Sequence, residues 1–182
     1  MRMFAKFIFC TCMGWRIQGD LPSLKKYVII VVPHTSWHDF YIGLLVRKIL
    51  ATKINYIGKK ELFRPPYGWF FRWQGGTPID RHHRSNTVDA IAQLFQEHDE
   101  FRLALSPEGT RKKVNQWRTG FYFIAKKAIV PIVMVAFDFG KKKVIIAPPF
   151  YPTDSQEKDF EYMYRNFKGV EGKNKENSFE VE

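Results

Sequence analysis

His34 and Asp39 are the residues whose types and spacing best suit catalysis. His34 follows an apolar stretch, residues 27–32, that ends at Pro33. A carboxylate bonded to one imidazole nitrogen fixes the tautomer and leaves the other nitrogen free to act as a base. Such a base can take the proton of an attacking hydroxyl, which typically raises a rate by about 10² to 10⁴. The pair therefore predicts acid–base chemistry on an alcohol.

Asp39 also has a purely structural interpretation. It stands three residues after Ser36, which is the spacing of a capping box at the start of a helix. A capping carboxylate satisfies a backbone N–H group and needs no catalytic partner. Spacing alone therefore leaves two roles open for this residue, helix cap or partner of His34.

A zinc site is a competing interpretation of the same histidine. His38 lies four residues after His34, and Asp39, His82 and His83 could complete a set of ligands. The proline before His34 and the Thr-Ser pair after it disfavour one continuous helix through both histidines. We therefore predict that no metal ion is bound here.

Two further loops carry polar and charged side chains. Residues 106–111, Ser-Pro-Glu-Gly-Thr-Arg, follow a second apolar segment, and residues 75–81, Gly-Gly-Thr-Pro-Ile-Asp-Arg, form another loop. Proline and glycine favour a fixed turn that exposes Glu108, Thr110 and Arg111. Arginine binds phosphate bidentately, although a single arginine is most often a solvated surface charge. Arg81 and Arg111 together suit an acceptor held by its phosphate.

Alternating strand and helix patterns must position these loops. The predicted strands are residues 27–32, 54–57, 101–105, 130–137 and 144–147, and the predicted helices are residues 37–50, 86–98, 120–127 and 160–167. This alternation predicts a single α/β domain, residues 1–168, with a mostly parallel central sheet flanked by helices. Residues 169–182 are polar and mixed in charge, which is typical of a disordered tail.

The charge distribution predicts an anionic partner. The net charge is +11, and residues 1–151 hold 24 Lys and Arg against 10 Asp and Glu. A nucleic acid, an anionic membrane or a phosphorylated substrate would each satisfy this charge. Most aromatic residues lie in apolar runs, and no familiar nucleic-acid-binding motif is present, so we predict no nucleic-acid partner. The two cysteines, Cys10 and Cys12, are too few for a disulfide framework or a four-cysteine metal site.

The amino-terminal segment, residues 1–15, is hydrophobic with Arg2 and Lys6 interspersed. No stretch of the chain reaches the roughly 18 to 20 apolar residues that a membrane-spanning helix needs. The segment therefore either packs on the domain or associates with a lipid surface. Sequence alone leaves both open.

Four segments in order carry a family resemblance. His34 and Asp39 with four residues between them, then residues 76–81, then Pro-Glu-Gly-Thr-Arg at 107–111, then Val-Pro-Ile-Val at 130–133 resemble the glycerolipid acyltransferase family. That family includes 1-acylglycerol-3-phosphate O-acyltransferases, and the likeness runs from about residue 27 to residue 147. Two departures, Pro33 in place of Asn and Pro78 in place of Phe, replace no reacting group and bear on the choice of acceptor.

The resemblance implies an O-acyltransferase with an α/β fold. His34 would be the general base, Asp39 its partner, and the acceptor would be bound by Arg81, Glu108, Gly109, Thr110 and Arg111. The donor would be acyl-CoA or acyl-carrier protein, with no other cofactor. The acceptor would be a lysophospholipid such as 1-acylglycerol-3-phosphate; another lysophospholipid or an aminolipid stays open. The enzyme would be peripheral or monotopic on the cytoplasmic face of an anionic membrane.

Two other classes of function compete with that of an acyltransferase. One is a basic nucleic-acid-binding module, suggested only by charge and aromatic content. The other is a lipid-binding protein of the same fold without catalytic activity, which the intact His34, Asp39 and Glu108 argue against.

Overall fold

The computed structural model describes residues 2–79 and 84–179. Within these residues, seven strands are present: β1 Arg16–Gln18, β2 Lys26–Val32, β3 Asn55–Lys59, β4 Gly76–Ile79, β5 Phe101–Leu105, β6 Ile132–Asp138 and β7 Lys143–Ile146. The α-helices of the same residues are α1 Arg2–Lys6, α2 His38–Ile49, α3 Gly68–Trp73, α4 Arg84–Glu97, α5 Gly120–Ala128 and α6 Gln156–Arg165. A π-helical turn, Phe7–Cys12, follows α1, and 3-10 turns occur at Lys60–Phe63 and Lys175–Asn177.

One mostly parallel sheet has the strand order β1-β7-β6-β2-β5-β3-β4. The central strand β2 is parallel to both β5 and β6, so that Val28 lies opposite Leu103 on one side and Ile132 on the other. Only the β6–β7 pair among the described strands is antiparallel. The predicted α/β fold with a largely parallel sheet is confirmed. Since parallel neighbours end at the same edge, the loops after β2 and β5 lie next to each other.

Helices cover both faces of the sheet. Val28 and Ile30 of β2 pack in one apolar cluster with α4, α5 and α6, whereas Tyr27 and Ile29 pack in a second cluster with α1, the π-helical turn and α2. A strand buried on both faces is apolar at nearly every position, which explains the continuous run of apolar residues in β2. The molecule therefore has three layers, with the sheet in the middle.

The sequence patterns did not assign α1, α3, β1 or β4 as elements. β4 contains Pro78 and is the last strand of the sheet. Proline has no N–H group to donate, so it is confined to such edge strands and breaks the pattern of a typical strand. β1 has only three residues, which is too short for a recognisable alternation. The remaining predicted elements agree with the structure to within about four residues.

The amino-terminal segment packs on the domain along one side, as one of the two predictions had it, and is exposed along the other. One side is buried against the domain: Ala5, Phe9 and Trp15. The other side exposes large apolar side chains: Met3, Phe4 and Phe7. Within residues 2–79 and 84–179, no helix has the length and apolar character needed to cross a membrane.

Residues 169–179, here called the C-terminal strap, lie against the domain. Val170 and Phe179 are buried, and the Phe179 ring centroid is 5.2 Å from those of Trp117 and Tyr164. The sequence predicted a disordered tail over residues 169–182, and the structure differs for the strap. The segment is polar on average, so its composition gave no sign that Val170 and Phe179 pack against the core. Residues 180–182 lie outside the described part of the chain.

Candidate active site

His34 and Asp39 meet in the turn between β2 and α2. His34 Nδ1 lies 3.0 Å from Asp39 Oδ2. The aspartate side chain is only 3% exposed, whereas that of the histidine is 28% exposed. The predicted geometry of an imidazole held by a carboxylate is therefore present, with the ring partly open to solvent.

Asp39 also contacts the backbone at the start of α2. The same atom, Oδ2, accepts a hydrogen bond from the Ser36 N–H group at 3.0 Å. Half of the predicted capping box thus forms, because Ser36 Oγ pairs instead with His38 Nδ1 at 2.7 Å. The structural and functional interpretations of Asp39 are compatible, since one oxygen atom serves both contacts.

Glu108 joins the loop after β5 to the His34 turn. Its Oε2 atom accepts a hydrogen bond from the backbone N–H of His34 at 2.8 Å, and the residue is 2% exposed. Burial raises the pKa of Glu108 to about 7, although the His34 N–H and the nearby imidazole lower it in part. Loops that follow two adjacent parallel strands are therefore held together by a titratable carboxyl group.

The rest of this loop is more exposed. Gly109 has φ of +66°, a left-handed backbone conformation that favours glycine, and a Cβ atom built there would lie 2.7 Å from Arg118 Nε, so the Arg118 side chain would also have to move. Thr110 Oγ1 accepts a hydrogen bond from the backbone N–H two residues on, at 3.3 Å. Arg111 is exposed and contributes to the lining of a cavity that also contains His34. The structure thus brings Glu108 into contact with His34 and places Arg111 in the lining of the same cavity.

The prediction for Arg81 falls outside the described residues, as do His82 and His83 of the alternative metal site. His38 stacks beside Trp37, with ring centroids 4.3 Å apart. In residues 2–79 and 84–179, no group of three or more His, Cys, Asp or Glu side chains is arranged to hold a metal ion.

A largely apolar cavity of about 510 Å³ lies on the α2 side of the sheet. Polar lining near the predicted site comes from His34, Asp39, Ser106 and Arg111. The apolar lining comes from both the sheet and the helical layer: Ile29, Val31, Phe40, Leu44, Val46, Leu50, Ile54, Leu62, Phe71, Val135 and Phe137. Ligand pockets commonly measure about 300 to 1,000 Å³ and combine apolar walls with a few polar groups. This cavity can hold a hydrocarbon chain with one end beside the imidazole.

Gly43 and Arg47 are lining residues that the sequence did not single out. A Cβ atom at Gly43 would lie 3.9 Å from Phe137 Cζ, so its lack of a side chain keeps space open beside α2. Arg47 donates to Ile54 O at 3.3 Å and to the backbone and side chain of Gln74, which ties α2 to the end of α3. Burial lowers the pKa of Arg47. The sequence did contain a signal for Arg47, because this residue is a cation within the apolar repeat of α2.

Fold and site together define an α/β protein with a histidine–carboxylate pair beside an apolar cavity. Residues 15–138 match the acyltransferase family, and the chain belongs to that family. The resemblance to glycerolipid acyltransferases is thereby confirmed.

Two relatives are similar to this chain. The first is the 1-acyl-sn-glycerol-3-phosphate acyltransferase of Streptococcus pneumoniae, with 29% identity over 148 residues, covering 75% of this chain and 54% of the relative. The chain thus spans about half the length of that relative. The second is the crystal structure of the 1-acyl-sn-glycerophosphate acyltransferase PlsC from Thermotoga maritima, with a TM-score of 0.65 and 21% identity, covering 91% of this chain and 74% of that one. The second likeness supports the fold.

Proposed function

We propose that the protein transfers a fatty acyl group from a thioester donor to the hydroxyl of a lysophospholipid, with 1-acylglycerol-3-phosphate as the leading acceptor. One observation carries the proposal: the His34–Asp39 pair lines the same apolar cavity as Arg111. The names of the two relatives favour the same reaction. No observation on the described residues favours a nucleic-acid-binding function.

The proposed reaction is a direct transfer. Asp39 holds His34 Nδ1, and Nε2 accepts the proton of the acceptor hydroxyl. The hydroxyl oxygen attacks the thioester carbonyl, so that a C–O bond forms and the C–S bond breaks. The proton on Nε2 then passes to the departing thiolate. A thioester is already activated, so a positioned alcohol can attack it without a Ser or Cys nucleophile.

The cavity and the arginines divide the substrate between them. In this proposal the apolar lining binds the acyl chain, and burial contributes about 0.8 kcal/mol for each CH₂ group. Arg111, with Arg81 of the second motif, binds the acceptor phosphate bidentately. The donor is acyl-CoA or acyl-carrier protein, and no metal or other cofactor takes part.

The proposal includes attachment to the cytoplasmic face of an anionic membrane. Arg2 Nε of α1 donates to Ile49 O of α2 at 2.7 Å, and Arg47 of α2 contacts the end of α3. The amino-terminal segment and α3, which both carry exposed apolar side chains, therefore each contact α2, the helix that walls the cavity. The net charge of +11 adds electrostatic attraction to anionic lipid.

The decisive experiment measures acyl transfer by purified His34→Ala. Lysophosphatidate, another lysophospholipid and an aminolipid are each supplied with acyl-CoA or acyl-carrier protein. We expect the variant to lose at least about a hundredfold in kcat, because the base is gone. His38→Ala is the matched control from the same turn, since His38 does not line the cavity. Wild-type turnover by His34→Ala would rule out the base role.

A further inference from the structure

We infer that the C-terminal strap positions the catalytic turn, and that Asn174 is a positioning residue acting on His34 through Thr35. The inference rests on the proposed function, because it assumes that His34 is the base. Asn174 is separated from Thr35 by 139 residues along the chain, so this contact is a long-range one.

Asn174 binds Thr35 by two hydrogen bonds. Its backbone N–H donates to Thr35 Oγ1 at 3.1 Å, and its Nδ2 atom donates to the Thr35 carbonyl oxygen at 3.1 Å. Thr35 is 2% exposed, so its polar groups depend on protein partners. One strap residue therefore fixes both the side chain and the backbone of the residue next to His34.

Gly172 contacts the same threonine by close packing. A Cβ atom at Gly172 would lie 2.6 Å from Thr35 Oγ1 and 2.7 Å from Thr35 Cγ2. These distances are shorter than van der Waals contact, so any side chain at this position would push Thr35 away. The strap thus holds Thr35 by shape as well as by hydrogen bonds.

The strap has its own attachments to the domain. The backbone N–H of Phe139 donates to Glu171 O at 2.8 Å, and the Gly172 N–H donates to the buried Ser178 Oγ at 2.8 Å. The ring of Phe179 packs against Trp117. These contacts fix the strap independently of Thr35, so it is a support against which the turn can be held.

Three consecutive residues of the turn are each held by a different segment. The His34 N–H donates to Glu108, Thr35 is bound by Asn174, and the Ser36 N–H donates to Asp39. Releasing the middle residue leaves the imidazole with a less defined position. A displacement of about 1 Å in a reacting group can cost about a hundredfold in rate.

The test is Asn174→Ala in the full chain, assayed for kcat and KM with both substrates. This change removes the hydrogen bond from Nδ2 to the Thr35 carbonyl oxygen and keeps the backbone N–H bond to Thr35 Oγ1. We expect kcat to fall about 10- to 100-fold while both KM values stay within about twofold, because the substrate sites are untouched. Lys175→Ala is the matched control: it removes the exposed Lys175–Glu171 ion pair of 2.7 Å and leaves Thr35 bound, so its kcat should equal that of the wild type.

A double-variant comparison separates positioning from general stability. Gly172→Ala should lower kcat, and adding it to Thr35→Ala should cause little further loss, since the two closest clashing atoms are gone and only Ser178 Oγ, at 3.1 Å, stays near the new methyl group. Wild-type kcat in Asn174→Ala, or equal loss from Gly172→Ala with and without Thr35→Ala, would overturn the inference. Full activity of His34→Ala would instead refute the base role of His34, on which this inference rests, whereas no acyl transfer by the wild-type protein would refute the proposed function.

Discussion

A single oxygen atom of Asp39 contacts two nitrogen atoms that have different roles. Oδ2 binds the Ser36 N–H at the start of α2 and lies 3.0 Å from His34 Nδ1. At the scale of single residues, the sequence left two alternative roles for Asp39, helix cap and partner of His34, because its spacing is compatible with both. Only the folded turn shows that the imidazole and the N–H group converge on one atom.

Two substitutions of Asp39 should separate these tasks. Asp39→Asn retains an acceptor for Ser36 but no longer enforces the tautomer of His34, so we expect kcat to fall about 10²- to 10⁴-fold with little change in stability. Asp39→Ala should lose the same activity and also about 1 kcal/mol of unfolding free energy. Turnover assays and urea unfolding check both. Equal stability of the two variants would contradict the capping role.

Glu108 should make stability depend on pH. Burial raises its pKa from 4.5 to about 7, so the folded chain binds this proton more tightly than the unfolded chain does. The contribution of this protonated carboxyl to the free energy of unfolding is complete below about pH 4.5 and is lost as the pH rises to about 7. Relative to wild type, Glu108→Gln should therefore be more stable at pH 8 than at pH 5, by up to about 3 kcal/mol.

Urea unfolding of both proteins at the two pH values measures this difference. Glu97→Gln, on the exposed surface of α4, is the matched control and should follow the wild type. A Glu108→Gln stability curve parallel to that of the wild type would show that the carboxyl does not titrate in this range.

At the scale of elements, prediction from sequence succeeded where one segment carries its own pattern. β2 is apolar from residue 27 to residue 32 and is followed by a proline, and α2 repeats apolar residues at helical spacing. Each element could therefore be predicted from its own residues alone. The cavity could not be predicted in this way, because its walls come from β2, α2, β3, α3, β5, β6 and β7. The strap was missed for the same reason, since Val170 and Phe179 acquire meaning only beside Trp117 and its neighbours. The role of Arg81 stays a prediction.

Gly43 of α2 should control the length of acyl chain that the cavity accepts. Gly43→Ala has room for its methyl group and should retain activity, since the nearest atom would be 3.9 Å away. Gly43→Leu should fill space beside Phe137 and lower transfer of palmitoyl groups much more than of octanoyl groups. Rates with the two donors measure this selectivity. Lys48→Leu, on the exposed side of the same helix, should change neither rate.

At the scale of the whole molecule, two segments that contact α2 each expose several large apolar side chains. Met3, Phe4 and Phe7 are more than half exposed, and Trp69 and Trp73 of α3 are 69% and 73% exposed. Aromatic side chains favour the interface between lipid and water. If the proposed function holds, substrates with long acyl chains would enter most directly from a bilayer held near the cavity.

Removing this apolar exposure should weaken membrane binding. We expect the variant with Met3, Phe4, Phe7, Trp69 and Trp73 all changed to Ser to sediment less with vesicles of anionic phospholipid, while turnover of a short-chain soluble substrate stays near the wild-type value. Ile129→Asn is the matched control, because Ile129 is 89% exposed but lies away from His34. It precedes β6, whereas His34 follows the neighbouring parallel strand β2, so the two residues are at opposite ends of these strands. Equal sedimentation of all three proteins would contradict the attachment.

The bond between Thr35 and Asn174 also has a consequence for the order of events during translation. A ribosome adds about 5 to 20 residues per second, so the 139 residues that separate the two partners take about 7 to 28 s to make. During that interval the His34 turn has emerged without the partner that secures its middle residue. A nascent chain therefore acquires its mature arrangement near His34 only after α6 has been synthesised.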